Sequence, residues 1–122
     1  MKILIVDDEE VFTEYLSLHL SFNHHVKSFN DPVDALRHYE DNQDYDVIIV
    51  DFYMPKIQGN IFVDRVCEIK VFQNIIVSSG AANYSDLKFI KKYNNSIKII
   101  SKPFDLSELD EVLNFFKEKQ IS

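Results

Sequence analysis

Apolar residues occur along this chain in two kinds of pattern. Five apolar runs are short, at residues 3–6, 25–29, 46–50, 74–78 and 97–100; they are rich in Ile and Val, and the first and third are almost continuously apolar. A strand with one wet face alternates, so consecutive apolar positions read as strands covered on both sides. The run at 25–29 is the least apolar and predicts a strand at a sheet edge. Between the runs, apolar positions recur at helical spacing. Val11, Phe12, Tyr15, Leu16 and Leu20 form a first stripe, Val33, Leu36 and Tyr39 a second, and Phe62, Val66 and Ile69 a third. Leu87, Ile90, Lys91 and Tyr93 give a poorer fourth; Leu106, Leu109, Val112, Leu113 and Phe116 give a clear fifth. Asp31-Pro32 places a capping carboxylate before a proline suited to the first helical turn. Asp105 and Glu108 have the spacing of a capping box. Asn42 and Asn94-Asn95 are read as helix exits, because Asn tolerates left-handed backbone. Strand followed by helix, five times over, requires a parallel sheet with helices on both faces: a (βα)5 doubly wound α/β domain.

Composition narrows the function. The 122 residues carry a net charge of −7, which argues against a nucleic-acid groove built from clustered Lys and Arg. The two arginines, Arg37 and Arg65, are distant in sequence. The lone cysteine, Cys67, excludes an internal disulfide framework and reads as a small buried hydrophobe. His19, His24, His25 and His38 lack metal-ligand spacing on a shared face and read as ordinary surface histidines. No apolar run reaches the ~20 residues of a membrane span. Asp7 and Asp8 stop the opening run before a signal-peptide core is complete. The expectation is a single cytoplasmic domain over residues 1–122, with no output domain and no membrane association.

Ligands of such sheets bind at the carboxyl ends of the strands. The first run ends in Asp7-Asp8, the third in Asp51, the fourth in Ser78-Ser79-Gly80 and the fifth in Ser101-Lys102-Pro103; the second offers Ser28 and Asn30. Two unit charges 4 Å apart repel by about 4 kcal/mol at an effective dielectric near 20. A proton, Lys102 or a hard divalent cation must therefore balance the carboxylates. An all-oxygen site with few protein ligands suits Mg²⁺. An ionised Asp there is a nucleophile for phosphorus, with a Ser hydroxyl and Lys102 placed for the phosphoryl oxygens. Asp7 and Asp8 have a competing reading as caps of the first helix. A flavin carrier is disfavoured, because Asp7-Asp8-Glu9-Glu10 stands where a phosphate-cradling loop is needed. An Asp-nucleophile phosphatase would carry its acidic pair after the first strand as Asp-x-Asp, and Asp51 is followed two residues on by Tyr53.

Taken together, Asp7-Asp8, Asp51, Met54-Pro55 with Gly59, Ser79-Gly80 and Lys102-Pro103 resemble the pattern of response-regulator receiver domains of two-component signalling, over essentially the whole chain. The resemblance implies a flavodoxin-like sheet of strand order 2-1-3-4-5. It implies that Asp51 accepts a phosphoryl group from a phosphohistidine of a sensor histidine kinase or phosphotransfer protein. Asp7, Asp8, Asp51 and the backbone carbonyl of Tyr53 would hold Mg²⁺, with Mn²⁺ as a substitute. Ser79 would be the switch hydroxyl, with Ser78 the adjacent alternative, and Lys102 would pair with Asp51 and then with the phosphoryl group. Pro55 and Gly59 would shape the loop after the third strand, and Pro103 would follow a cis peptide. The chain departs from the pattern at Ile99, where a switch aromatic is common, and at Asn94-Asn95-Ser96 in place of Gly-Ala. Tyr53 and Ala81 would flank the phosphorylation pocket. The implied behaviour is a switch that catalyses only its own phosphorylation and dephosphorylation. It would signal to an unidentified protein target without direct DNA binding, as a monomer or phosphorylation-dependent dimer. The first helix would be the docking face for the phosphodonor, and residues 85–92, 98–100 and 106–117 the output surface.

Overall fold

The computed structural model describes residues 1–80 and 88–121. In chain order it contains β1 (Lys2–Val6), α1 (Glu10–Leu20), β2 (His25–Phe29), α2 (Pro32–Asp41), β3 (Val47–Asp51), α3 (Gly59–Ile69) and β4 (Ile75–Ser79). A 3-10 helix (Lys88–Ser96), β5 (Ile97–Ser101) and a C-terminal helix, here α4 (Leu106–Ile121), complete it. The five strands form one parallel sheet in the order β2-β1-β3-β4-β5. The weakly apolar β2 lies at an edge, as its composition predicts.

Because β1, β3 and β4 are buried at nearly every position, the sheet divides two apolar layers. On one face Leu4, Val6, Ile48, Val50, Ile75 and Val77 meet Ala35, Leu36 and Tyr39 of α2 and Phe62, Val63 and Val66 of α3. On the other, Ile3, Ile5, Val47, Ile49, Ile76 and Ile100 meet Leu16 and Leu20 of α1 and Leu109, Leu113 and Phe116 of α4. Cys67 is buried in the first layer, where burial pushes its thiol up to about 11.

Several local readings change. Leu87 lies outside the described residues, and the stretch after it is a 3-10 helix rather than a fourth α-helix, with Phe89, Ile90 and Tyr93 half-buried against the core. Asp31 caps α2 as expected, accepting the Val33 N–H at 2.8 Å. Asn42 closes α2 without left-handed backbone: its φ is −142°, and its side-chain amide donates to the His38 carbonyl at 2.9 Å. The side chains of Asn94 and Asn95 lie outside the described residues. Glu108 accepts the Asp105 N–H at 3.4 Å, a long version of the expected capping contact. The first stripe divides in two. Leu16 and Leu20 are buried, but Val11 is 81% and Tyr15 54% exposed, joined on the outer face by Leu18 at 71% and Phe22 at 81%. Both faces of α1 are apolar, and periodicity alone does not say which one meets the sheet.

Two of the histidines have side-chain partners outside their own helices. His19 Nε2 bonds Asp110 of α4 at 3.1 Å, and His38 Nε2 bonds the Tyr45 hydroxyl at 2.6 Å. Arg37 and Arg65, far apart in sequence, line one groove of about 390 Å³ between α2 and α3. Glu40 and Glu68 line it as well, so no basic patch results.

Candidate functional site

Strand order brings the ends of β1 and β3 together, and the local hydrogen bonds orient what they carry. Asp7, directly after β1, is buried. Its backbone N–H donates to the Phe29 carbonyl at 3.2 Å, and its own carbonyl accepts from Asn30 Nδ2 at 2.8 Å. Asp7 Oδ1 accepts the Glu9 N–H at 2.9 Å, which turns the chain toward α1 without capping the helix. Asp8 is exposed. Asp51 is the last residue of β3 and is buried. Asp7, Asp8 and Asp51 each offer a carboxylate oxygen, and these oxygens lie within 4.8 Å of one another.

Lys102 follows β5 and reaches back over the sheet. Its ammonium donates to Asp7 Oδ2 at 2.9 Å and stands 3.6 Å from Asp51 Oδ1. It also sits 4.3 Å from the centre of the Phe12 ring, which is braced edge-on by Phe104. Sequence spacing places Phe12 only in the first apolar stripe and gives Phe104 no role, because a cation–π contact between distant residues leaves no spacing signal. The same holds for Asn30, which offered only an amide at a strand end. Burial alone would draw the Lys102 pKa down; the hydrogen bond to Asp7 and the charges of Asp7 and Asp51 outweigh it and hold the ammonium above the ordinary lysine value. Asp51 is also raised, which for a carboxylate disfavours the charged form: burial, followed by the charge of Asp7, pushes it up to about 6 against the pull of Lys102.

One ammonium cannot balance three carboxylates. Oxygens 4.8 Å apart repel by about 3.5 kcal/mol per ionised pair at an effective dielectric near 20. The donor set is entirely oxygen and open to solvent on the Asp8 side, which fits a hard cation that keeps several of its waters.

The remaining predicted residues sit around this cluster. Tyr53 lies just after β3, partly exposed and edge-on to the buried Phe52. Ser78 stands opposite Asp51 in the β3–β4 register, and its buried Oγ has no hydrogen-bond partner among the described residues. Ser79, one residue nearer the rim, is buried, and its carbonyl accepts the Lys102 N–H at 2.7 Å. The Lys102–Pro103 peptide is cis. Ile99 is half-buried beside Val77 in the β4–β5 register. Ala81 lies outside the described residues, as does the first part of the expected output surface, residues 85–87.

The loop after β3 is closed by the Gly59 N–H, which donates to the Phe52 carbonyl at 2.7 Å. A Cβ at Gly59 would lie 2.6 Å from Phe52 Cα and 2.7 Å from the Asp51 carbonyl oxygen. Pro55 lines the outer wall of this loop with Tyr53, Met54, Lys56, Gln58 and Ile61. Lys56 has a φ of 70° and is ion-paired through its ammonium with Asp31.

The family model for the response regulator receiver domain matches residues 3–114. The chain belongs to that family. Response regulator ArlR of Staphylococcus aureus is 32% identical to it over 113 residues, 88% of this chain and 48% of the relative. The receiver domain described here thus spans about half the length of the curated relatives it matches. Among solved structures, the N-terminal domain of an uncharacterized protein from Wolinella succinogenes superposes with a TM-score of 0.87 at 28% identity, covering 99% of this chain and 97% of that one. The chemotaxis protein CheY4 of Vibrio cholerae gives 0.83 at 25% identity, covering 94% and 97%. This receiver domain is therefore a signalling module of the two-component type, and its acidic cluster could hold a metal ion. None of the helices among its described residues is long and apolar enough to cross a membrane.

Proposed function

We propose that this receiver domain is a phosphorylation-activated switch in which Asp51 accepts a phosphoryl group from a phosphohistidine of a sensor kinase or phosphotransfer protein. The observation that carries the reading is the grouping of the Asp7, Asp8 and Asp51 carboxylates within 4.8 Å, with Lys102 Nζ 2.9 Å from Asp7 and 3.6 Å from Asp51. Asp7, Asp8 and Asp51, with the backbone carbonyl of Tyr53, would hold Mg²⁺, or Mn²⁺ in its place. When bound, the ion supplies positive charge against the carboxylates and the incoming phosphoryl oxygens.

The chain's own groups do the rest. A carboxylate with a pKa of about 6 is mostly ionised at neutral pH, so Asp51 presents a nucleophile. Its oxygen forms the new P–O bond as the P–N bond to the donor imidazole breaks, and the nitrogen keeps the electron pair. Lys102 stays within reach of the transferred group and balances its charge, while burial of Asp51 limits attack by water. Ser79, at the last position of β4, turns its hydroxyl to the phosphoryl oxygens, and the change passes to the β5 and α4 surface as a shift between existing states. The exposed Val11, Tyr15 and Leu18 face of α1, with Phe22 just beyond its end, is where the phosphodonor docks. Asp7, close to Lys102 and held by Asn30, positions the ammonium. The domain thus assists only its own phosphorylation and dephosphorylation. Its output is binding to a protein target, as a monomer or a phosphorylation-dependent dimer.

The purified chain, incubated with a small phosphodonor and Mg²⁺, is expected to form an adduct labile to hydroxylamine and mapped to Asp51. Asp51→Asn and chelation should each abolish it. Labelling of Asp51→Asn at the wild-type level, or no adduct on wild type, would overturn the reading.

The adjacent serines separate in a second measurement. Ser78→Ala removes a buried hydroxyl that has no partner among the described residues, so stability is expected to stay within about 0.5 kcal/mol of wild type or to rise. The spectral response to beryllofluoride should survive in Ser78→Ala and disappear in Ser79→Ala. The opposite pattern would move the switch to Ser78.

A further inference from the structure

Lys56 is the one non-glycine residue with positive φ among the described residues. Such backbone is unfavourable for any residue bearing a Cβ, and it persists where surrounding contacts over-determine it. Two contacts do so here. At its base the loop spanning 52–58 is closed by the Gly59 N–H on the Phe52 carbonyl. At its tip the Lys56 ammonium pairs with Asp31 Oδ2. Asp31 is itself fixed, because its Oδ1 accepts the Val33 N–H at the start of α2. The preceding residue, Asn30, donates to the Asp7 carbonyl. A continuous set of contacts therefore runs around the rim of the acidic cluster, from Asp7 through Asn30 and Asp31 to Lys56 and the loop that follows Asp51.

We infer that the Lys56–Asp31 pair is a latch that holds the 52–58 loop against the acidic cluster and so presents the Tyr53 backbone carbonyl to the metal. Lys56 is a positioning residue in this role; it touches no reacting atom. The inference rests on the reading of Tyr53 as a metal ligand given above. Its physical basis is an opposition of two small effects. The left-handed backbone at Lys56 disfavours the loop conformation, and an exposed ion pair of modest strength restores it. Glycine would adopt the same φ without a steric penalty and would need no latch. With lysine there, loop placement depends on the pair and on ionic strength.

Calorimetric titration of the whole chain with Mg²⁺, together with hydrogen exchange of the Gly59 amide in the metal-free protein, tests this. Lys56→Met and Asp31→Asn, the latter retaining an oxygen for the α2 cap, are each expected to weaken Mg²⁺ binding about three- to fivefold. The double variant should be no weaker than either single one. Lys56→Arg should bind as wild type, and Lys56→Gly within about twofold of it, with no further loss on adding Asp31→Asn. Gly59 exchange should quicken in Lys56→Met and Asp31→Asn but not in Lys56→Gly. Wild-type binding and exchange in Lys56→Met would overturn the latch, as would a Lys56→Gly variant as weak as Lys56→Met. A wild-type protein that takes up no Mg²⁺ would instead overturn the proposed function, and Gly59 exchange then decides the latch on its own.

Discussion

Gly59→Ala is expected to destabilise the domain by about 3 kcal/mol, at the upper end of the cost of overpacking. Elementary helix propensity predicts the opposite sign, since alanine is favoured over glycine in a helix by roughly 1 kcal/mol. Gly59 opens α3 and has no positive φ, so backbone freedom is not the reason for its place. The reason is contact. The missing Cβ would meet Phe52 Cα at 2.6 Å, the Asp51 carbonyl oxygen at 2.7 Å and the Phe52 carbonyl oxygen at 2.9 Å. All three are backbone atoms at the end of a buried central strand, and none can rotate aside. The first turn of α3 must lift from the strand that carries Asp51, which also lengthens the 2.7 Å bond from the Gly59 N–H. Urea denaturation of the two proteins checks this; equal or greater stability of Gly59→Ala would contradict the close approach.

The second large effect is a gain in stability on removing the central carboxylate. Burial and the charge of Asp7 raise Asp51 from the ordinary 3.8 to about 6. The native metal-free state therefore binds this proton more tightly than the unfolded chain. For this group stability is greatest below pH 3.8, falls as pH rises through 6, and remains reduced above it. A difference of about two pKa units corresponds to about 3 kcal/mol. Asp51→Asn is accordingly expected to raise the stability of the metal-free protein at pH 7 by up to about 3 kcal/mol, with the gain fading as pH drops toward 4. Lys102 retains Asp7 at 2.9 Å in the variant, so no cation is left unpaired. Mg²⁺ should stabilise wild type at pH 7 and have a smaller effect on Asp51→Asn, because it offsets the same repulsion. Thermal melts at pH 4 and pH 7, with and without Mg²⁺, measure both. A variant less stable than wild type at pH 7 would refute the account of Asp51 as a strained carboxylate.

Much of this was readable residue by residue. Val47, Ile48, Ile49 and Val50 announce a strand buried on both faces, so Asp51 at its end stands out as a charge with no structural reason to be there. Asp31-Pro32 announces the start of α2. Other features gave no such signal. Val11 and Tyr15 share the helical spacing of Leu16 and Leu20, yet the sheet takes only the latter pair. The stretch after Leu87 had a weak period, and its described part is a 3-10 helix. Phe12, Asn30 and Lys56 act through long-range contacts with Lys102, Asp7 and Asp31 respectively, and isolated contacts of this kind leave no repeat to detect.

The order of residues by itself determined the parallel α/β layering, the position of every strand to within a residue or two, and which acidic and basic groups stand at strand ends. These follow from local apolar periodicity and from the handedness of parallel crossovers, which need no knowledge of distant contacts. Only the folded chain decided how close the carboxylates come, that Lys102 is shared between Asp7 and Asp51, that Gly59 is pressed against the end of β3, and that Lys56 is tied to Asp31. Those outcomes depend on distances between side chains brought together by strand order, and charge repulsion, burial and steric exclusion act on distances in space rather than on separations along the chain.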